Sequence, residues 1–115
     1  MAYDTFLADR INKNLTDRKV NFMEKKMMGG LVFMVNDKMC IGVSQNRLMA
    51  RINPDIEAEA LLKEGAEEML MTGRKMKGFI FVQPEGIDLE DDLNYWIQLC
   101  LDYNPLAKSS KKKKM

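Results

Sequence analysis

The chain has 115 residues and a mass of 13.3 kDa, which gives room for one domain and one core. Apolar residues make up 46% and charged residues 30%, too apolar for a disordered regulator and too interrupted by charge for a membrane span. Histidine is absent, which removes the commonest general base and metal ligand, and the formal charge of +1 hides a split: Lys108, Lys111, Lys112, Lys113 and Lys114 leave 13 bases against 17 acids elsewhere, a body charge of −4.

From Asp4 to Leu15, the apolar residues Phe6, Leu7, Ile11 and Leu15 recur at helical spacing and Asp4 offers an N-cap. This is the first expected helix. Between Thr16 and Gly30 the periodicity is lost, and Lys25, Lys26 and the paired glycines suggest a connection or a short strand entering a tight backbone passage. Leu31 to Val35, Met39 to Val43 and Leu48 to Ile52 are short runs rich in branched and long apolar residues. Asn36, Asp37 and Lys38, then Ser44, Gln45 and Asn46, separate them as turn formers, which predicts an antiparallel meander.

Asn53, Pro54 and Asp55 form a strong helix start, because Asn caps free amides, Pro tolerates the first helical position and Asp complements the dipole. A second helix is expected from Pro54 to about Glu64, ended by Gly65. Met69 to Met71, a basic turn through Gly73, and then Met76 to Val82 read as a second sheet segment. After a turn at Pro84, Glu85 and Gly86, Asp88 is the expected cap of a third helix. Its buried stripe is Leu89, Leu93, Trp96, Ile97 and Cys100, and Pro105 closes it. The order α-β3-α-β2-α implies an α+β two-layer sandwich, with an antiparallel sheet and helices on one sheet face. Residues 1–107 form the single domain and residues 108–115 a disordered lysine-rich tail.

Few groups in this chain carry chemistry. Gly73, Arg74, Lys75, Met76, Lys77 and Gly78 have the glycine spacing of a phosphate-binding loop, but Phe79 and Ile80 stand where that motif needs Lys and Ser or Thr. What remains is a glycine-bounded turn with three cations, able to receive a carboxylate or phosphate, while Arg51 is expected to lie near the Gly29–Gly30 pair. Glu90, Asp91 and Asp92 are explained by the dipole of the helix they start. No nucleophile elbow is present. Cys40 and Cys100, with 59 residues between them, read as buried small hydrophobes in a reducing cytoplasm. Met34, Met39, Met49, Met69 and Met76, among eleven methionines, read as flexible core filling.

Three stretches, Lys26 to Met34 (KMMGGLVFM), Lys38 to Ile52 (KMCIGVSQNRLMARI) and Thr72 to Gly86 (TGRKMKGFIFVQPEG), together resemble the TfoX/Sxy N-terminal-domain family. Met28 stands where the family usually has an aromatic residue. The resemblance implies an α+β domain similar to secretion chaperones and a regulatory setting. Full-length members resemble regulators of natural competence that work with a cyclic-AMP receptor protein and carry a helical C-terminal domain. The chain is expected to be a stand-alone member without that domain.

These readings together predict a regulatory or adaptor domain acting through protein contacts, with no catalytic residues, cofactor or metal, located in the cytoplasm and away from membranes. The candidate partner or anion site is Arg51, Arg74, Lys75 and Lys77. By resemblance, the expected partner is a transcription factor of the cyclic-AMP receptor type, with direct nucleic-acid binding and a homodimer left open. Two alternatives stand beside this reading: a small-ligand or anion-binding module built on the Gly73 to Gly78 turn, and a nucleic-acid-associated factor using the lysine tail.

Overall fold

A computed structural model describes residues 3–27, 29–71 and 74–107. The lysine-rich tail from Lys108 onward lies outside the described residues. The first helix, α1 (Thr5–Asp17), starts where the sequence placed its cap: a carboxylate oxygen of Asp4 accepts from the amides of Phe6 (2.9 Å) and Leu7 (3.3 Å). Its apolar stripe buries Leu7, Ala8, Ile11 and Leu15. The Asp4 amide donates to the Gln45 carbonyl at 2.7 Å, which ties the start of the helix to the turn between two strands.

Among the described residues, six strands form one antiparallel sheet: β1 (Met23–Met27), β2 (Gly30–Val35), β3 (Lys38–Ser44), β4 (Arg47–Arg51), β5 (Ala66–Met71) and β6 (Arg74–Val82), in the spatial order β1-β2-β3-β4-β6-β5. The meander is as expected, and Asn36 (φ 57°) and Asp37 (φ 64°) take the left-handed conformations that a two-residue hairpin turn needs. The expected order of elements is corrected by one strand. β1 precedes the meander, so the chain runs α-β4-α-β2-α. Its residues, MEKKM, are exposed except for a half-buried Met27, and a strand that buries neither face leaves no apolar alternation to read. The glycine pair does make a tight passage: a Cβ on Gly30 would lie 1.9 Å from the Val43 carbonyl oxygen of β3. In β3, Cys40 is an extra residue between the pairs Phe33↔Ile41 and Met34↔Met39, and the bulge turns Cys40 and Ile41 toward the same core.

The second helix is shorter than predicted. Asn53 caps as expected, its side chain accepting from the Asp55 amide at 2.8 Å, but a 3-10 turn (Pro54–Ile56) comes first and α2 spans only Glu57–Ala60. Turns follow to Gly65, whose φ of 81° ends the segment. Only Ala60 and Glu57 of α2 are buried, too narrow an apolar stripe to carry the helix further. The third helix, α3 (Glu90–Tyr103), has Leu89 at its N-cap, and no side chain caps it. Asp88 instead uses its carbonyl, which accepts from the Arg10 guanidinium at 3.3 Å. Leu89 is 67% exposed and leaves the predicted stripe, because it lies before the first helical turn; Leu93, Trp96, Ile97 and Cys100 are buried as expected.

α1 and α3 run side by side with a constant sequence offset. Arg10 pairs with Glu90 at 3.3 Å, Asn14 donates to Asn94, and Arg18 donates to Gln98 at 2.7 Å. Each rung is one helical turn beyond the last on both helices, so the two are parallel. At the far end of α3, the buried Asn104 donates to the Val35 carbonyl (3.0 Å) and accepts from Asn36 (2.8 Å), while Lys38 donates to the Asn104 carbonyl (3.1 Å). The helix is thereby fixed to the β2–β3 turn.

Two cores result. The larger gathers α1, α2 and α3 with Leu31, Phe33, Ile41, Val43, Leu48, Ala50, Ile80 and Val82 of the sheet, and it contains Trp96 at 1% exposure. The smaller contains Val32, Met39, Met49 and Met69, packed by Met27, Met34, Phe79 and Phe81, all of them strand residues on the opposite face. Replacing Trp96 by Ala is expected to destabilise the protein by about 3–5 kcal/mol, because the large indole cannot be replaced by collapse of a rigid helix onto a sheet. Denaturant titration of the two proteins measures this, and a difference below about 1 kcal/mol would contradict the central position of the indole.

Candidate protein interface

β4 and β6 are hydrogen-bonded neighbours, with Met49 opposite Phe81 and Arg51 opposite Phe79. Residues two apart in a strand share a face, so Arg47, Met49 and Arg51 stand together with Phe79 and Phe81 on the face of the smaller core. The Arg47 guanidinium lies 3.8 Å from the centre of the Phe81 ring, and that of Arg51 lies 5.2 Å from the centre of the Phe79 ring. Both are cation–π distances, each contributing about 0.5–2 kcal/mol according to its desolvation. Arg51 also donates to the Met39 carbonyl at 3.4 Å. The Nε of Arg47 is buried without a hydrogen-bond partner among the described residues, its planar group lying against the ring instead. Gly42 makes room beneath: the Met49 methyl would lie 2.9 Å from a Cβ added there.

The expected site residues are therefore distributed along two strands. Arg51 sits at the Met39 end of β4, while Gly30 lies level with Ser44 and Arg47 at the other end, so Arg51 is far along the strand from the glycine pair. Arg74, Lys75 and Lys77 belong to β6 and not to a turn running from Gly73 to Gly78. The pairs Met71↔Arg74 and Leu70↔Lys75 place the start of the strand at Arg74. Gly73 and the side chains of Arg74 and Lys75 lie outside the described residues. Lys77 is exposed.

The physical reason for the longer strand lies in its middle. Between the pairs Leu70↔Lys75 and Glu68↔Ile80, β5 advances two residues and β6 five. Gly78 absorbs the excess with a φ of 85°, its amide donating to a buried Glu57 carboxylate oxygen at 3.2 Å and its carbonyl accepting from the Ile52 amide at 2.8 Å. The glycine read from sequence as a turn boundary is thus a bend inside a strand, tied to the first turn of α2.

In the sequence, Phe79 and Phe81 fall simply within the expected strand Met76 to Val82. The signal for a stacked surface was present in the alternation of Arg47, Met49 and Arg51 against Phe79 and Phe81, but it needed the β4–β6 register to be read. Met39, Met49 and Met69 are buried, as core-filling methionines should be, and Met34 is half-buried.

Both thiols are free and buried. Burial pushes Cys40 from an ordinary 9.0 up to about 12, against the opposing pull of the Arg51 charge. Burial, with Cys40 nearby, pushes Cys100 well above its ordinary value. Among the described residues, no three His, Cys, Asp or Glu side chains gather where they could hold a metal, and no helix is long and apolar enough to cross a membrane.

The thiol environment has a measurable consequence. Unfolded thiols ionise above about pH 9 while the native thiols keep their protons, so stability is flat below that pH and falls as pH rises from 9 toward 12. The slope reaches about 1.4 kcal/mol per pH unit for each thiol. At pH 8 a thiol reagent is expected to modify neither cysteine in native protein and both after denaturation. Rapid labelling of native protein would show that Cys40 or Cys100 is accessible.

Among protein families, the profile described as the TfoX N-terminal domain matches residues 15–103, from the last turn of α1 to the end of α3. No curated protein and no solved structure gives a match. The chain belongs to the TfoX N-terminal domain family.

Proposed function

We propose that this TfoX N-terminal domain is a regulatory adaptor that acts through protein contacts and performs no catalysis. The observation that carries the reading is the composition of one sheet face. Half-buried Met27, Met34, Phe79, Phe81, Arg47 and Arg51 surround a buried floor of Val32, Met39, Met49 and Met69. Methionine, aromatic residues and arginine are the types enriched where proteins meet, because they combine apolar area with polarizability or a planar charge. Here the arginines lie on phenylalanine rings, so part of their ordering is already complete before a partner arrives.

The charge pattern favours an acidic partner. The body outside the tail carries −4, which disfavours broad contact with phosphate backbones, while Arg47, Arg51 and Lys77 supply cations on β4 and β6. The family supports a regulatory setting in natural competence. A transcription factor of the cyclic-AMP receptor type is accordingly the first partner to test, in a cytoplasmic context.

Replacing Arg51 and Lys77 together by Gln is expected to lower folding stability by about 1–3 kcal/mol, through the lost Arg51 contact with the Phe79 ring and its bond to the Met39 carbonyl, and to leave the protein folded. Affinity for a cyclic-AMP-receptor-type factor, or for a partner recovered from the native host, is expected to fall about tenfold at low salt. The difference should shrink as salt rises, because screening already weakens the wild-type contact. Titration calorimetry of both proteins at two salt concentrations decides the matter. Equal affinities at low salt, with both proteins folded, would remove this face from the function.

A further inference from the structure

The two edges of the sheet differ in a way that the proposed interface does not use. β5, at one edge, is acidic through Glu67 and Glu68, its pairing breaks between Glu68 and Leu70, and Glu67 is held by Gln83 at 3.0 Å. β1, at the other edge, is regular: five consecutive pairs run from Met23↔Met34 to Met27↔Gly30 without a shift. A bulge is a common device for disabling an edge, and β1 lacks one. Its outer side has no strand neighbour among the described residues.

β1 is also exposed on both faces, with Met23 at 67%, whereas β2 beside it is almost wholly buried. Such a strand gains little from side-chain packing and is held mainly by its ladder with β2, so a further strand would add the pairing it lacks. The register assigns its side chains. Met23, Lys25 and Met27 stand opposite Met34, Val32 and Gly30, on the face of the smaller core. Glu24 and Lys26 stand opposite Phe33 and Leu31, on the helix face, where Asn12 of α1 donates to the Glu24 carboxylate at 2.7 Å. With the acid engaged by α1, the edge presents one lysine to each face, flanked by methionines.

We infer that β1 is a strand-addition site for an extended acidic segment of a partner protein, which pairs with its outer backbone as a seventh strand. Backbone pairing supplies the attraction and alternate side chains the selectivity. An antiparallel segment would place apolar residues opposite Met27 and Met23 and two consecutive acids opposite Lys26 and Lys25. A shallow depression lined by Asn21, Phe22, Met23, Met34, Asn36 and Asp37 receives the apolar side chain at the Met23 end. The chain's own β5 carries two consecutive acids, but its broken register and the Glu67 contact make it a poor strand donor to a second copy. The inference rests on the protein-contact reading and adds to it a second surface and a segment chemistry.

The probe is a capped five-residue peptide of valine, aspartate, glutamate, threonine and valine, titrated into the full chain. Fluorescence anisotropy reads affinity and amide hydrogen exchange reads the edge. Saturable binding is expected, with increased protection confined to β1 and its neighbour. The charge-reversed double variant K25E/K26E should lose affinity by about tenfold or more, and K25R/K26R should retain it, both with the wild-type melting temperature. A peptide N-methylated along its backbone should not bind. Absence of saturable binding, equal binding by K25E/K26E, or equal binding of the N-methylated peptide would each overturn the inference, the last by reducing it to diffuse charge attraction. Concentration-dependent self-association that protects β1 without peptide would give the edge to a second copy instead. If the peptide fails while a partner still depends on Arg51 and Lys77, only this inference falls; if that dependence is also lost, the adaptor reading falls with it.

Discussion

The centre of the sheet is apolar on both faces, and the three helices belong to only one of its two cores. That constraint shapes most of the molecule. β2, β3 and β4 have to bury residues in both directions, which is why they read as nearly continuous apolar runs and not as alternating ones. On the helix side, the branched and aromatic residues fill a space fixed by α1 and α3. On the other side, among the described residues, only strand residues contribute to the packing, and unbranched methionines adapt where none of the described helices supplies a matched surface. The arginines of β4 complete this layer by lying on the phenylalanines of β6, burying their stems while holding their charge near its edge.

The helix layer is joined by a different kind of contact. The α1–α3 seam is polar, an ion pair followed by amide and guanidinium hydrogen bonds at successive turns, and the hydrophobic contacts of each helix are directed down to the sheet. Exposed rungs of this type contribute little energy individually. Their value is in register: donors and acceptors spaced by four residues on each helix match at one offset, and a slip by one residue would unpair all of them. Asn104 has the same role at the end of α3, where a buried amide with two partners fixes the helix end against the β2–β3 turn.

How much of this the sequence disclosed depended on whether burial was one-sided. α1, the meander and the stripe of Leu93, Trp96, Ile97 and Cys100 were legible, because each has a clear periodicity or an uninterrupted apolar run with local punctuation. β1 was legible only as one of two readings, a connection or a short strand, because MEKKM is exposed on both faces and held by its ladder with β2, which leaves little trace in side-chain pattern. The bend in β6 was hidden for a related reason. Gly78 looks the same in sequence whether its positive φ ends a turn or bends a strand, and the choice is made by Glu57 and Ile52, distant in the chain, which bond its amide and carbonyl. The candidate site followed that uncertainty. Four cations were legible as residue types, but their placement on β4 and β6, and the phenylalanines under Arg47 and Arg51, depended on a pairing of nonconsecutive strands.

Register also connects the two surfaces. Because directly paired residues share a face, Lys25 lies on the same face as Val32, Met49 and Phe81, each in line across neighbouring strands. That row begins with a lysine at the basic edge, crosses a buried methionine and ends beside Glu67 at the acidic edge. A partner segment acidic at one end only would lay that end over Lys25 and keep it away from Glu67, so such a segment has one favoured direction across the row. Reversing the partner would bring like charges together at Glu67 while leaving the lysine unmatched. The energetic difference is modest at an exposed surface and falls with salt, yet it acts on orientation and not only on affinity. A small domain with one half-buried face can in this way select the polarity of what it binds from charges placed on its two outermost strands.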